Sequence, residues 1–511
     1  MNEAQLTIAK SYDGLIDDYV TDMDALEQAR EDLGNMNCQY RSSKLHRTLV
    51  DLQDTVNNSI NTDVHVGTVC IPAADAVITV AGMSIALPIP AEKVTSLYTA
   101  LNPSLVGVEM RGDVFDTNLR MSHEAPADSM QVSHSISTFD FPFELEEIHQ
   151  KICPSAVSIR AELYKLVMYG VGDFFVPHRD SMSSADMFGS ISMQLPILSE
   201  SGTSQERTVS NSVKDPGQLV FYIGRETPEC NCESLSTSSM YSDCYNADVQ
   251  WAHTVDLGSL ERITTTDGNI AMSFAAWTGD VLHEVRRVES GYRAVLVYRL
   301  YKQGHKESYI PLPLRLSVEE KIMSVFNTMN SEAHHHFRYL GVILRHAYAP
   351  AGLQPEYLKG IDAVMYSIAS KTNKCLLFNA HQVDEGPLAT RYNLRKDAVT
   401  YLMFLTTEVV PADVDFSSDD ARESMAKHYK VFTNTAWIQL GFGTLVGGGF
   451  CFGNVTTSTD WWYRSAVMII TQEPSLWMRR RPLFLIMTKG SRTMRQLNSL
   501  LEVMKTIASF L

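Results

Sequence analysis

Between Tyr12 and Leu33 the apolar residues Tyr12, Ile16, Tyr19, Met23, Leu26 and Leu33 recur three, four or seven positions apart. That is the stripe of one helix face, and Gly34 is placed to end it. Ser43 is a candidate cap for a second helix carrying Leu45, Leu49, Leu52, Val56 and Ile60. Residues 1–62 therefore read as an N-terminal helical hairpin, its stripe free to pack within the chain or to form a homo-oligomer through these helices. From about Val64 the texture changes to short β-branched runs such as Val77-Ile78-Thr79-Val80, punctuated by Gly and Pro. Such runs recur at 162–169, 189–196, 217–223, 270–277, 283–288 and 292–301. Many short strands without intervening helices predict an antiparallel sandwich or barrel. The segments 199–215 and 225–266, rich in Ser, Thr, Asn and Asp, read as long loops of the kind that form lids or substrate-binding insertions.

Beyond Gln303 the pattern is mixed: 317–329 and 340–346 look helical, while 399–405 and 466–470 look like strands. The last segment, with Met494, Leu497, Leu501, Met504, Ile507 and Leu511, reads as an amphipathic helix. The expected organisation is an α+β chain in three units. These are the hairpin at 1–62, a strand-rich domain at 63–305 with its core at about 158–302, and a C-terminal mixed α/β domain at 312–511.

Composition narrows the function. A chain of 511 residues, 45% hydrophobic and 20% charged, has the balance of a globular protein with room for a deep site. Its net charge of −16 counts against nucleic acid, whose binding is driven by Lys and Arg neutralising phosphates. A small molecule or a protein segment is the better substrate class. Eight cysteines without regular spacing suggest a reducing compartment, so an intracellular location, cytoplasmic or nuclear, is expected. The start Met1-Asn2-Glu3-Ala4-Gln5 lacks a signal-peptide pattern. The longest apolar stretch, 76–90, contains Gly82, Pro88 and Pro90 and is shorter than the roughly 20 residues of a bilayer-crossing helix, so no membrane span is expected.

Candidate chemistry begins at Val176-Pro177-His178-Arg179-Asp180, at the end of a strand-like run. Residues two apart on a strand share a face, so His178 and Asp180 can reach one ion. Two histidines and one carboxylate, leaving open positions, suit non-haem iron(II) and oxygen. His283, about a hundred residues downstream in another strand-like run, is the candidate third ligand. After a turn at Glu289-Ser290-Gly291 the chain returns through Tyr292-Arg293-Ala294-Val295, which brings Arg293 back towards the metal. An apolar strand should not bury a guanidinium without an anion, and its planar fork matches a carboxylate.

These residues carry a resemblance. Leu163-Tyr164-Lys165-Leu166, Phe174-Phe175-Val176-Pro177-His178-Arg179-Asp180, Met187-Phe188-Gly189-Ser190, His283-Glu284-Val285 and Ser290-Gly291-Tyr292-Arg293 resemble, in order, the motifs of 2-oxoglutarate and iron(II)-dependent dioxygenases of the prolyl hydroxylase-like kind. Segments 77–87, 116–120, 358–362, 453–454 and 462–466 look like those of large members of this superfamily. The resemblance implies a double-stranded β-helix (jelly-roll) core with flanking helices. It also implies Fe(II) held by His178, Asp180 and His283, and 2-oxoglutarate, converted to succinate, salt-bridged by Arg293. Ascorbate enters as an accessory reductant on the same ground. By position in that pattern, Tyr169 would face the iron pocket, although a core aromatic explains it as well, and Gln194 would lie near the oxoglutarate tail. Trp277, Phe274 and Leu195 are candidate cavity walls that ordinary core packing explains equally well.

Other signals weigh less. Cys230, Cys232, Cys244 and His253 are zinc-ligand types at no standard zinc spacing, so a zinc clip and free thiols both remain open. His334, His335 and His336 are adjacent and cannot face one ion from a helix. The Gly441 to Gly449 segment lacks the P-loop lysine, and Arg479-Arg480-Arg481 reads as a solvated cluster. The sequence thus favours an oxygenase that hydroxylates a carbon, for example in a prolyl or other protein side chain. A retired oxygenase barrel serving as a protein-binding scaffold is the alternative. Oxidative dealkylation of a nucleic-acid base is a third reading, and the acidic charge counts against it.

Overall fold

The computed structural model describes residues 44–58, 63–108, 112–198, 217–222, 252–255, 268–306, 310–331, 338–348, 352–382, 403–406, 435–440, 451–452 and 465–472. The expected helices at 12–33 and 494–511, the 199–215 segment, Cys230, Cys232, Cys244, and the 334–336, 441–449 and 479–481 clusters lie outside the described residues. Within them the chain is mixed α+β, with mostly antiparallel sheets. No described helix is long and apolar enough to cross a membrane.

Two large sheets, beside a small one of Met83–Ala86, Val77–Val80 and Met130–Val132, build the strand-rich part. The first runs, edge to edge, through Val64–Pro72, Asn269–Thr278, Met187–Gln194, Arg293–Gln303, Ser158–Tyr169, His123–Pro126 and Asn102–Pro103. The second runs through Ala252–Val255, Leu219–Tyr222, Leu282–Val285, Phe174–Arg179, Cys451–Phe452, Val106–Val108 and Gly112–Val114, with Arg120–Met121 also paired to the His178 strand. The Ala252–Val255 strand pairs with Leu219–Tyr222, so the 225–266 segment, expected to be loop throughout, contributes an edge strand.

The central strands read as nearly continuous apolar runs because both of their faces are buried. Ala275, Trp277, Val167, Tyr169 and Val295 turn towards Phe175, Leu219, Phe221 and Val285 of the second sheet. Their neighbours Phe274, Leu166, Met168, Leu296 and Tyr298 turn the other way, into a core closed by the helices Ala91–Ala100, His134–Thr138 and Pro142–Ile152. At Gly189 the strands approach so closely that a Cβ would overlap the Trp277 carbonyl oxygen, which explains a glycine inside a buried strand.

A third sheet, ordered Met403–Thr406, Asn373–Gln382, Ser465–Gln472, Tyr339–Ile343 and Thr435–Gln439, packs with the helices Lys44–Asn57, Leu312–Met329 and Gly360–Ala369 around a separate core. The Lys44–Asn57 helix forms where the leucine spacing placed it. Its stripe of Leu45, Leu49, Leu52 and Val56 is buried in this core with Val318, Ile322 and Val325 of the Leu312–Met329 helix. The 340–346 segment corrects a sequence expectation: Tyr339–Ile343 is a strand, parallel to Thr435–Gln439, rather than a helix. All five of its residues are buried, and a short run apolar on every side carries no period from which helix and strand can be told apart.

Candidate metal and active site

His178 and His283 stand directly opposite each other on antiparallel strands of the second sheet, and a bulge between Phe175 and His178 sets that register. Asp180 follows the end of the His178 strand, its backbone N–H donating to the Gly279 carbonyl at 3.1 Å. Local alternation and one long-range strand pair thus bring the three residues together. One ligand atom from each lies within 4.8 Å of the others, and His283 Nε2 is 3.8 Å from Asp180 Oδ1.

Hydrogen bonds aim the three donors. His178 Nδ1 lies 2.9 Å from the Val176 carbonyl, and His283 Nδ1 lies 2.9 Å from the Val281 carbonyl. A carbonyl only accepts, so each Nδ1 carries the proton and each Nε2 presents its lone pair. Trp277 Nε1–H donates to Asp180 Oδ2 at 2.9 Å, which leaves Oδ1 towards His283. The His178 ring stacks on Phe175 with centroids 3.5 Å apart. Burial, and then repulsion from His283, hold the His178 pKa well below its usual value, keeping the ring in the neutral form that can ligate. Two imidazole nitrogens and a carboxylate, each held by an outer hydrogen bond, fit an octahedral divalent ion with open positions.

The three residues open into a cavity of about 80 Å³ between the two sheets, several times the ~10–15 Å³ that one water molecule needs. Tyr169 and Arg293 are cross-strand partners, and both line it. Arg293 is buried, and its guanidinium donates to the Gly217 carbonyl. Gln194 shares the strand face of the lining residues Ser190 and Ser192 by alternation, yet it is not among the residues lining the cavity. Its side-chain amide lies 3.5 Å from the Leu195 carbonyl. Trp277 is a wall of the cavity, whereas Phe274 and Leu195 belong to the core on the other side of the sheet.

Three further cations, not singled out by sequence pattern, line the same cavity: Arg120, Lys165 and Arg299. For Lys165 and Arg299 the signal is the one that marked Arg293, a charge interrupting an apolar strand, whereas Arg120 lies in a two-residue strand and carries no such signal. Lys165 Nζ and the Arg120 guanidinium both donate to Glu124 at 3.0 Å. Burial would raise the Glu124 pKa, but Lys165 and Arg120 outweigh it and hold the carboxylate ionised. Burial, then the nearby Arg120 charge, bring Lys165 down to about 8.

The turn leading into the His283 strand is held from the third-sheet core. Asp280, buried, accepts from Lys359 Nζ at 2.9 Å, His346 Nδ1 at 3.1 Å and the Ala347 N–H at 3.1 Å. Arg179, between His178 and Asp180, donates from Nε to the Asp280 carbonyl at 2.9 Å. Burial would raise the Asp280 pKa, but Lys359 and His346 outweigh it and keep it well below the usual value.

No protein-family model and no curated protein matches the chain. Among solved structures it is similar to a prolyl-4-hydroxylase from Pseudomonas putida, with 15% identity, 50% of this chain and 100% of that one covered, and a TM-score of 0.26. It is also similar to a prolyl hydroxylase from Trichoplax adhaerens solved with a hypoxia inducible factor peptide fragment, at 12% identity, 51% and 95% coverage and a TM-score of 0.24. A third is an oxidoreductase of the 2OG-Fe(II) oxygenase family from Burkholderia pseudomallei, at 12% identity, 51% and 92% coverage and a TM-score of 0.22.

Proposed function

We propose that the chain is an Fe(II)- and 2-oxoglutarate-dependent dioxygenase, built on a double-stranded β-helix, that hydroxylates a carbon of a small molecule or a protein segment such as a prolyl side chain. The observation that carries this reading is the grouping of His178, Asp180 and His283, with both imidazole Nε2 atoms left to ligate by the Nδ1 bonds to Val176 and Val281. When bound, the iron supplies the oxidising chemistry, driven by decarboxylation of oxoglutarate to succinate.

The chain's own residues position and exclude. His178, Asp180 and His283 would hold the ion on one side and leave its other positions open to the cavity. Arg293, buried in the same cavity, would take the distal carboxylate of oxoglutarate, with the Tyr169 hydroxyl beside it across the strand pair. Trp277 fixes the Asp180 carboxylate, and Phe175, Val167 and Val295 keep this part of the cavity apolar. Ascorbate, as a reductant that restores Fe(II), belongs to the same proposal.

The test is direct binding and turnover. Purified protein should bind iron(II) and 2-oxoglutarate anaerobically and release succinate slowly in air without added substrate. Asp180→Ala should abolish iron binding. Arg293→Ala should retain iron and weaken oxoglutarate by about 10–100-fold, the worth of a hydrogen-bonded charge pair. Binding of neither ligand by the folded wild type would sink the oxygenase reading and favour a scaffold.

A further inference from the structure

We propose that the primary substrate carries an anionic group, a carboxylate or a phosphate, and that Arg299, stacked on Tyr164 at the Lys165 side of the cavity, receives it. This rests on the oxygenase reading and adds the substrate's chemical class.

The first support is position. Arg293 and Arg299 lie six residues apart on one strand, and both line the cavity along with Val295 and Val297 between them. At ~3.4 Å per residue their Cα atoms are roughly 20 Å apart. One small diacid bound to Arg293 does not reach both. Arg299 pairs with Ser190, and Ser190 pairs with Trp277, the residue that holds Asp180. Arg299 is therefore level with the metal-binding residues, two strand spacings or roughly 10 Å across the sheet from Trp277. That is where a substrate held beside the ion would lie.

The second support is charge. A divalent ion and Arg293 balance a dianionic oxoglutarate and Asp180. Among the described residues, the rest of the lining holds the cations Arg120, Lys165 and Arg299, and Arg120 and Lys165 both contact the carboxylate of Glu124. Glu162, opposite Arg299 across the strand pair, has its carboxylate on Arg160. Asp113, the other acid near Tyr164, is exposed. Among the described residues no carboxylate lies within ion-pair distance of Arg299. A positive pocket of this kind in a chain of net charge −16 concentrates an anion at one place.

The third support is shape. The Arg299 guanidinium carbon lies 3.7 Å from the centre of the Tyr164 ring, and Lys165 Nζ lies 4.9 Å from the same ring. Stacking fixes the plane of the guanidinium and leaves its edge, with its N–H groups, for a planar or tetrahedral oxyanion. A half-buried guanidinium oriented in this way is pre-organised for a ligand.

The experiment uses the full chain loaded with manganese(II) and saturating 2-oxoglutarate under argon, so that Arg293 is occupied. Glutarate, O-phosphoserine and the neutral glutaramide are titrated in by calorimetry. The expected result is binding of the two anions and none of glutaramide. Arg299→Leu should weaken that binding by about tenfold or more while manganese and oxoglutarate still bind, in line with the usual worth of a hydrogen bond to a charged group. O-phosphoserine also carries a carboxylate, so a phosphate source is read from its binding more tightly than glutarate while unphosphorylated serine does not bind, and a carboxylate source from tighter glutarate. If Arg299→Leu loses manganese as well, Arg299→Lys decides, since it keeps charge but not the fork and should weaken glutarate more than phosphoserine. Equal binding of glutaramide, no binding of either anion to loaded protein, or indifference to both Arg299 variants overturns the anion site and leaves the oxygenase reading standing. If manganese and oxoglutarate do not bind, the oxygenase reading fails. Anion binding that depends on Arg299 but not on Arg293 would then still support the anion site.

Discussion

Outer residues decide how well His178, Asp180 and His283 could act together. Trp277 is the clearest case, because its indole N–H donates to one Asp180 oxygen and fixes which oxygen turns to His283. Trp277→Phe keeps the wall but removes that bond. It should weaken metal binding by about 10–100-fold, the usual effect of losing such a partner, as read in a metal titration of the folded variant. Lys165 gives a pH signature. Its pKa falls to about 8 in the fold, so between about pH 8 and 10.5 the unfolded chain holds a proton that the folded chain has released. The cost of burying this charge is fully present below pH 8, and stability rises with pH through the window. Amine labelling of Lys165, followed by mass spectrometry at increasing pH, should be half-maximal near 8, far below that of exposed lysines.

Elements were legible where their pattern had a direction. The stripe Leu45, Leu49, Leu52, Val56 specified both the Lys44–Asn57 helix and the face it buries, and the structure gives that face to the Leu312–Met329 helix of the same chain. Leu52 is fully buried there, so Leu52→Ala should cost about 2–5 kcal/mol, measured by denaturant unfolding. The Tyr339–Ile343 strand was not legible, for the opposite reason: uniform burial erases periodicity. The short helices Ala91–Ala100 and Pro142–Ile152 escaped notice because few of their residues are buried, Val94 and Leu97 in one and Ile148, His149 and Ile152 in the other.

Across the whole molecule, the third-sheet core and the candidate metal site meet at Asp280. Lys359 and His346 come from one side, and Arg179 and the turn into the His283 strand from the other. Removing one member of a buried ion pair strands its partner, so Lys359→Met should cost about 3–5 kcal/mol. Because Asp280 lies three residues before His283, the same change should weaken metal binding in the protein that remains folded. A stability loss with unchanged metal affinity would limit the contact to structure. His346 follows the linkage: burial lowers its pKa, but Asp280, Asp63 and Asp362 together outweigh burial and raise it. Its stabilising contribution is complete below pH 6.5 and is lost as pH rises through the folded value.

By itself the sequence determined the local terms. It placed the main strands, the Lys44–Asn57 helix, the pairing of His178 with Asp180 on one strand face, and the anomaly of Arg293 in an apolar run. These depend on periods of two or 3.6 residues and on the cost of burying charge, both readable over short windows. Only the tertiary structure decided that His283 stands opposite His178, that Arg120, Lys165 and Arg299 share a cavity with Arg293, and that Lys359 reaches Asp280. Apart from Arg299, which shares a strand with Arg293, these contacts join residues separated by tens to more than a hundred positions. Such contacts are set by strand register and sheet packing, which no short window of sequence encodes.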